Sequence, residues 1–131
     1  MGDRKIRILL AKLGDGFDSA LLKLAMAIRE AGFEVIYTEL QTPKAIVKSA
    51  IEESVDHIGI TTLPGANIED FAKIRELLAK EESSNVQITA GGFLKEEDMP
   101  RVKAMGVEEF FPKGTTFSEL VEWARKHIKA T

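Results

Sequence analysis

Apolar residues along this chain fall into two arrangements: short unbroken runs, and segments in which they recur every three or four positions. The first run, Ile6-Arg7-Ile8-Leu9-Leu10, is rich in branched residues and too short for anything but a buried strand. Leu21, Leu24, Ala25 and Ile28 follow at helical spacing, and Gly32 ends that helix. Phe33-Glu34-Val35-Ile36-Tyr37-Thr38 has the composition of a second strand. Thr42-Pro43, a cap residue with proline at the first helical position, then opens a helix expected to turn Val47, Ala50 and Ile51 inward. Ile58-Gly59-Ile60-Thr61-Thr62-Leu63 reads as a third strand, its glycine suggesting close backbone approach, and Pro64-Gly65-Ala66-Asn67 is its exit loop.

The next helix starts near Ile68 and places Phe71, Ile74, Leu77 and Leu78 inward, with Glu69/Lys73 and Glu76/Lys80 four apart on the wet face. After a Ser83-Ser84-Asn85 turn, Val86-Gln87-Ile88-Thr89-Ala90 is a fourth strand that ends at Gly91-Gly92. Residues 96–105 form a short helix in which Pro100 requires a late start, and Gly106 stands where a left-handed terminating residue is wanted. Val107 to Phe111 is a fifth strand with Pro112-Lys113-Gly114-Thr115 as its exit loop. Thr116-x-x-Glu119 has capping-box spacing for a last helix carrying Phe117, Leu120, Val121, Ala124 and Ile128 inward.

Five strands alternating strictly with five helices call for a parallel sheet, because each parallel connection needs a crossover and crossovers are right-handed. The fold expected is therefore α/β, a doubly wound, flavodoxin-like (Rossmann-like) sheet in the order 2-1-3-4-5 with helices on both faces. In that order the chain reverses direction between strands one and three, so a crevice is expected above their carboxyl ends, at the first loop and at residues 61–67.

Composition narrows the functional classes. At 131 residues the whole chain, 1–131, is expected to be one domain. A net charge of −3, spread along the chain, argues against a nucleic-acid or anionic-membrane surface. The absence of cysteine excludes disulfides, thiolate metal sites and a cysteine nucleophile, and is compatible with a reducing cytosol. No apolar run approaches the length of a bilayer span and no leader is visible, so a cytoplasmic protein without a membrane partner is expected.

The candidate chemistry gathers in the first strand-to-helix loop, Ala11-Lys12-Leu13-Gly14-Asp15-Gly16-Phe17-Asp18-Ser19-Ala20. Two readings of it stand side by side. In one the glycines supply turn conformations, Asp18 or Ser19 caps a helix and Phe17 covers the sheet edge; in the other the loop holds a ligand. Lys12 and Lys113 at the cleft rim could meet an anion, although a solvated lysine is the default. Gly114-Thr115-Thr116 precedes a helix N-terminus that could take a phosphate. His57, at the amino end of strand three, and His127, on the last helix, read as ordinary surface or structural histidines. No nucleophile stands beside a base and no cluster has metal-ligand spacing.

These residues resemble the cobalamin (B12)-binding domain of the methylmalonyl-CoA mutase group, in particular the short separate small subunits of acyl-CoA mutases. The resemblance runs through the glycine-rich loop, Ala31-Gly32-Phe33-Glu34-Val35-Ile36-Tyr37-Thr38, Thr42-Pro43, Val55-Asp56, Leu63 with Gly65-Ala66, Gly91-Gly92, Glu96-Glu97-Asp98-Met99-Pro100 and Gly106-Val107. The family's signature is D-x-H-x-x-G in the first loop, S-x-L on the third strand and G-G after the fourth. Its histidine ligates cobalt from below, its aspartate orients that histidine, and the other motifs line a slot for the displaced nucleotide tail.

Here the signature reads Asp15-Gly16-Phe17-Asp18-Ser19-Ala20, with Thr61-Thr62-Leu63 as a softened S-x-L and Gly91-Gly92 intact. Phe17 stands at the histidine position and Ala20 at the glycine position. The resemblance thus implies a cofactor site at Asp15, Gly16, Phe17, Asp18, Ser19, Ala20, Thr61, Leu63, Gly65, Gly91, Gly92, Gly114 and Thr115, without a histidine cobalt ligand. It implies cobalamin as cofactor and a TIM-barrel large mutase subunit that carries the acyl-CoA site as partner; apart from the resemblance, a homo-oligomer is left open. Alone, the chain is expected to catalyse nothing. The competing expectation is a degenerate interaction or regulatory subunit that keeps the fold and has lost the cofactor; a third is a flavodoxin-like domain for another nucleotide-like ligand.

Overall fold

In the computed structural model, which describes residues 5–16, 19–39 and 42–131, strand β1 (Arg7–Leu13) forms the spine of the molecule. Every residue of β1 after Arg7 is buried, and the strand pairs in parallel with β2 (Glu34–Tyr37) on one side and β3 (His57–Thr62) on the other. β4 (Gln87–Gly92) and β5 (Val107–Pro112) continue the parallel sheet, giving the order β2-β1-β3-β4-β5. The connections are α1 (Ser19–Glu30), α2 (Pro43–Glu52), α3 (Glu69–Lys80) and α4 (Met99–Ala104), and α5 (Phe117–His127) follows β5. This is the doubly wound, flavodoxin-like arrangement that the alternation demands.

Local chemistry sets the helix starts. Thr42 Oγ1 accepts the Ala45 N–H at 3.2 Å with Pro43 opening α2. Thr116 and Glu119 complete a reciprocal capping box on α5. Pro100 is accommodated because residues 96–98 form a separate 3-10 turn, so α4 begins at Met99 and the proline falls in its first turn, where no N–H bond is required.

The structure corrects several local expectations: β4 spans 87–92 rather than 86–90, and Phe117 is 36% exposed rather than turned inward. β1 runs to Leu13, so Ala11, Lys12 and Leu13 belong to the strand and the loop begins at Gly14; the ladder with β3 continues to the Leu13–Thr62 pair. β3 spans 57–62 rather than 58–63. In α2 the inward residues are Ile46, Val47 and Ala50, while Ile51 is 37% exposed, since one further step of 100° carries it off the buried face. Glu76 and Lys80 pair at 3.4 Å as the spacing predicts, and Glu69 meets Arg101 of α4 at 3.3 Å.

Two apolar layers sandwich the sheet. Leu9, Ala11, Leu13, Ile58, Ile60, Ile88 and Ala90 pack beneath α2, α3 and α4 against Ile46, Val47, Phe71, Ile74, Leu78 and Val102. On the other face Ile8 and Leu10 meet Leu21, Ala25 and Ile28 of α1 with Ala124 and Ile128 at α5. The two faces of β3 and β4 are built differently. Ile58, Ile60, Ile88 and Ala90 fill the first layer, whereas the alternate positions, His57, Gly59, Thr61, Thr89 and Gly91, present small or polar groups to α1 and α5. The second layer is therefore incompletely filled.

Candidate functional site

The unfilled region is a cavity of about 170 Å³ between the sheet and helices α1 and α5. Its floor is Leu10, Gly59, Thr61, Thr89 and Gly91; Leu21 and Leu24 of α1 and Leu120, Trp123 and Ala124 of α5 form the walls. The mouth lies at the carboxyl ends of the strands, where Ala20, Gly92, Lys113, Gly114 and Thr115 meet. From Thr61 to His57 the strand covers four residues, roughly 13 Å at 3.3 Å per residue.

The glycines make the room. A Cβ on Gly59 would come within 2.9 Å of Leu10 Cδ2, and one on Gly91 within 3.0 Å of the Phe111 carbonyl oxygen. Gly92 has another role: its φ of +114° and the 2.5 Å approach of a Cβ to the Thr62 carbonyl oxygen make it a backbone requirement of the strand end. Of the Gly91-Gly92 pair, the first opens the cavity and the second permits the turn.

A polar pair is set into this apolar space. His57 is 2% exposed, and its Nε2 lies 2.9 Å from Thr89 Oγ1. The imidazole stands 6.4 Å from the Trp123 ring, which packs edge-on against Phe111 at 5.3 Å and lies 4.7 Å from His127. Burial pushes the His57 imidazole down from 6.5 to about 4, with the Arg75 guanidinium adding to the effect. Because the folded value lies below the unfolded one, the neutral ring's contribution is fully present above pH 6.5 and is lost as pH falls toward 4. At about 1.4 kcal/mol per pH unit this amounts to about 3 kcal/mol. Denaturant titrations of wild type and His57→Val/Thr89→Val between pH 7 and 4 check this: the variant is expected to lose less stability on acidification, and parallel curves would refute the assignment.

The loops at the carboxyl ends of β1 and β3 are fastened to each other. Leu63 N–H donates to the Leu13 carbonyl at 2.8 Å and Asp15 N–H to the Pro64 carbonyl at 3.0 Å. Gly14, at φ +99°, packs so closely that a Cβ would reach the Leu63 carbonyl oxygen at 2.4 Å. Gly65 lies beside the Asp15 carboxylate, 3.2 Å from where its own Cβ would stand. The crevice expected directly above β1 and β3 is thus bridged by backbone, and the open volume lies under α1 and α5. Lys12 departs from the solvated default: it is 7% exposed and donates from Nζ to the Gly16 carbonyl at 3.0 Å, pinning the loop. Lys113 sits at the cavity mouth with its ammonium 4.3 Å from the ring centroid of Phe93.

The sequence-derived residues divide accordingly. Ala20, Thr61, Gly91, Gly92, Gly114 and Thr115 come together around the cavity. Asp15, Leu63 and Gly65 form the loop contact beside it, Gly16 receives Lys12, and exposed Ser19 opens α1. Phe17 and Asp18 lie outside the described residues. Sequence reasoning missed the floor and far end of the cavity, namely Gly59 as an opening, Thr89, His57 and Trp123. The period-two alternation of small or polar with bulky residues over 57–61 and 88–91 was the available signal. Among the described residues no group of three His, Cys, Asp or Glu side chains could hold a metal ion, and no helix is long and apolar enough to cross a membrane.

Comparison with known proteins identifies the family. The chain is 36% identical over 132 residues to the 2-hydroxyisobutanoyl-CoA mutase small subunit of Aquincola tertiaricarbonis, spanning 99% of this chain and 97% of that one. It is 37% identical to the pivalyl-CoA mutase small subunit of Xanthobacter autotrophicus, over 92% of this chain and 82% of the relative. It is 32% identical to the methylmalonyl-CoA mutase large subunit of Propionibacterium freudenreichii, over 98% of this chain but only 18% of that protein. A cobalamin-binding protein from Desulfitobacterium hafniense shares the fold with a TM-score of 0.77 at 20% identity, covering 94% of this chain and 59% of that one. The NarL receiver domain of Mycobacterium tuberculosis also superposes, with a TM-score of 0.73 at 15% identity over 95% of this chain and 96% of that one; both likenesses speak for the fold alone. The B12 binding domain family matches residues 6–121, and with that match and the relatives' identity over nearly its whole length, the chain belongs to the B12 binding domain family.

Proposed function

We propose that this protein is the small, cobalamin-holding subunit of a B12-dependent acyl-CoA mutase, and that it holds the cofactor without a histidine beneath the cobalt. The observation that carries the reading is the glycine-floored cavity, with Thr61 and Gly91 in its floor and Ala20, Gly92, Gly114 and Thr115 at its mouth. Its apolar walls and missing side chains suit a flat aromatic base entering from the strand ends, as the cofactor's nucleotide tail would. Asp15 and Gly16 belong to the loop beside that mouth, which Leu63, Gly65 and Lys12 hold in place.

Phe17 has no lone pair to offer a metal, so a cobalamin whose tail enters the cavity would be held by the cavity and loop residues and not through a side-chain nitrogen at this position. When bound, cobalamin supplies radical chemistry through its cobalt–carbon bond. The chain's own residues orient the cofactor and exclude water from its tail. The acyl-CoA substrate is bound by a barrel-type large subunit, and this chain alone turns over nothing.

The test is titration of the protein with hydroxocobalamin and adenosylcobalamin, followed by gel filtration and visible spectroscopy. Colour is expected to elute with the protein, with a spectrum showing the nucleotide base released from cobalt. Failure to retain either cobalamin would overturn the reading and leave an interaction subunit that keeps the fold without the cofactor.

A further inference from the structure

The His57–Thr89 pair has no task in holding a purely apolar ring. It is a buried polar pair at the inner end of a cavity whose walls are leucine, alanine and aromatic side chains, with Thr61 as the other polar residue of the floor. Its position is informative: Thr89 is the register partner of Gly59, and Thr89 Oγ1 lies 3.9 Å from where a Gly59 Cβ would be. The pair therefore borders the space that the glycine vacates. A hydroxyl carries one donor and two acceptor sites and a neutral imidazole one of each, so the single bond between them uses only part of what they offer. Burying such groups beside a ligand edge made only of carbon would cost free energy, whereas an edge that bonds to them would recover it.

We propose that the His57–Thr89 pair reads the edge of the ring that enters this cavity, so that the protein prefers a cobamide whose lower base has a hydrogen-bonding edge, of the purine type, over one with a dimethylated hydrocarbon edge. This inference rests on the cobalamin-holding function proposed above and names the ligand class of that same site. Imidazole and hydroxyl can each serve as donor or acceptor, which suits a purine edge that presents both. Trp123, the single tryptophan of the chain, lines the same cavity near His57 and reports its occupation.

The experiment measures the affinities of adenine-tailed and 5,6-dimethylbenzimidazole-tailed cobamides by quenching of Trp123 fluorescence, for wild type, His57→Val and Thr89→Val. The cost of releasing each base from its own cobalt belongs to the free cobamide and cancels when ratios are compared between proteins. The wild-type preference for the adenine-tailed form is expected to exceed that of either variant by about tenfold, the effect of one buried hydrogen bond. Thr89→Val is nearly isosteric and keeps the comparison available if His57→Val is poorly folded. Binding of both cobamides with the same ratio in all three proteins would overturn this inference and leave the proposed function standing. Binding of neither cobamide by wild type would overturn both.

Discussion

Gly59→Val is expected to abolish cobalamin retention, weakening affinity by about a hundredfold or more, while leaving the protein at least as stable as wild type. Gly59 lies in a central strand at an ordinary extended position, outside the left-handed region, so a β-branched residue suits its backbone better than glycine does. The atom its Cβ would meet first, at 2.9 Å, is Leu10 Cδ2, the end of a flexible side chain that borders empty space and can turn aside. The added methyls then occupy the cavity floor. Filling a void of this kind contributes about 1 kcal/mol to stability, yet it removes the room a flat ring needs. Thermal unfolding and gel filtration with hydroxocobalamin check both halves. A stable variant that still retains cobalamin normally would show that the cavity is not the site. The contrast with Gly92 is instructive: there the obstacle is the Thr62 carbonyl in a left-handed turn, and loss of binding would merely report loss of structure.

The double change Phe17→His/Ala20→Gly is expected to place a protein nitrogen on the cobalt. Asp15 is already present to orient an imidazole two residues on, and the Gly14–Leu63, Asp15–Pro64 and Lys12–Gly16 contacts hold the loop before any ligand arrives. Removing the Ala20 methyl at the cavity mouth widens the entrance for the tail. Electron paramagnetic resonance of the cob(II)alamin complex reads the outcome. Wild type should show no axial-nitrogen splitting, and the variant a triplet that becomes a doublet when the protein carries nitrogen-15. A triplet in wild type unaffected by labelling would mean that cobalamin keeps its own base, contrary to a tail seated in the cavity. Absence of nitrogen splitting in a variant that binds would mean that the loop does not present residue 17 to the cobalt.

Much of the fold is legible in local sequence. Runs such as residues 6–10 and 86–90, broken by helical spacing and by the Thr42-Pro43 and Thr116/Glu119 caps, dictate five strands and five helices because each signal lies within a few residues of chain. Parallel pairing and right-handed crossovers then restrict the sheet order, and β2-β1-β3-β4-β5 is what forms. The loop motif around Asp15 and the strand-end glycines likewise pointed to the cobalamin-binding family from local sequence.

The place of the cavity was another matter, since it depends on which face of each strand meets which helix and on what residues far apart leave unfilled. Gly59, Thr89, Gly91 and Trp123 come from three elements, and the space they share exists only once β3, β4 and α5 are packed. The same holds for His57: an unremarkable histidine at a strand end in the sequence becomes a neutral, buried partner of Thr89 when α5 closes over it. It holds too for Lys12, whose charge turns back to fasten a loop instead of meeting solvent. Sequence alone determined the strands, helices, their order and the family, because those follow from short-range periodicity and capping. Tertiary packing decided the cavity, its polar floor and the bridged crevice, because burial and empty volume are properties of surfaces brought together across the chain.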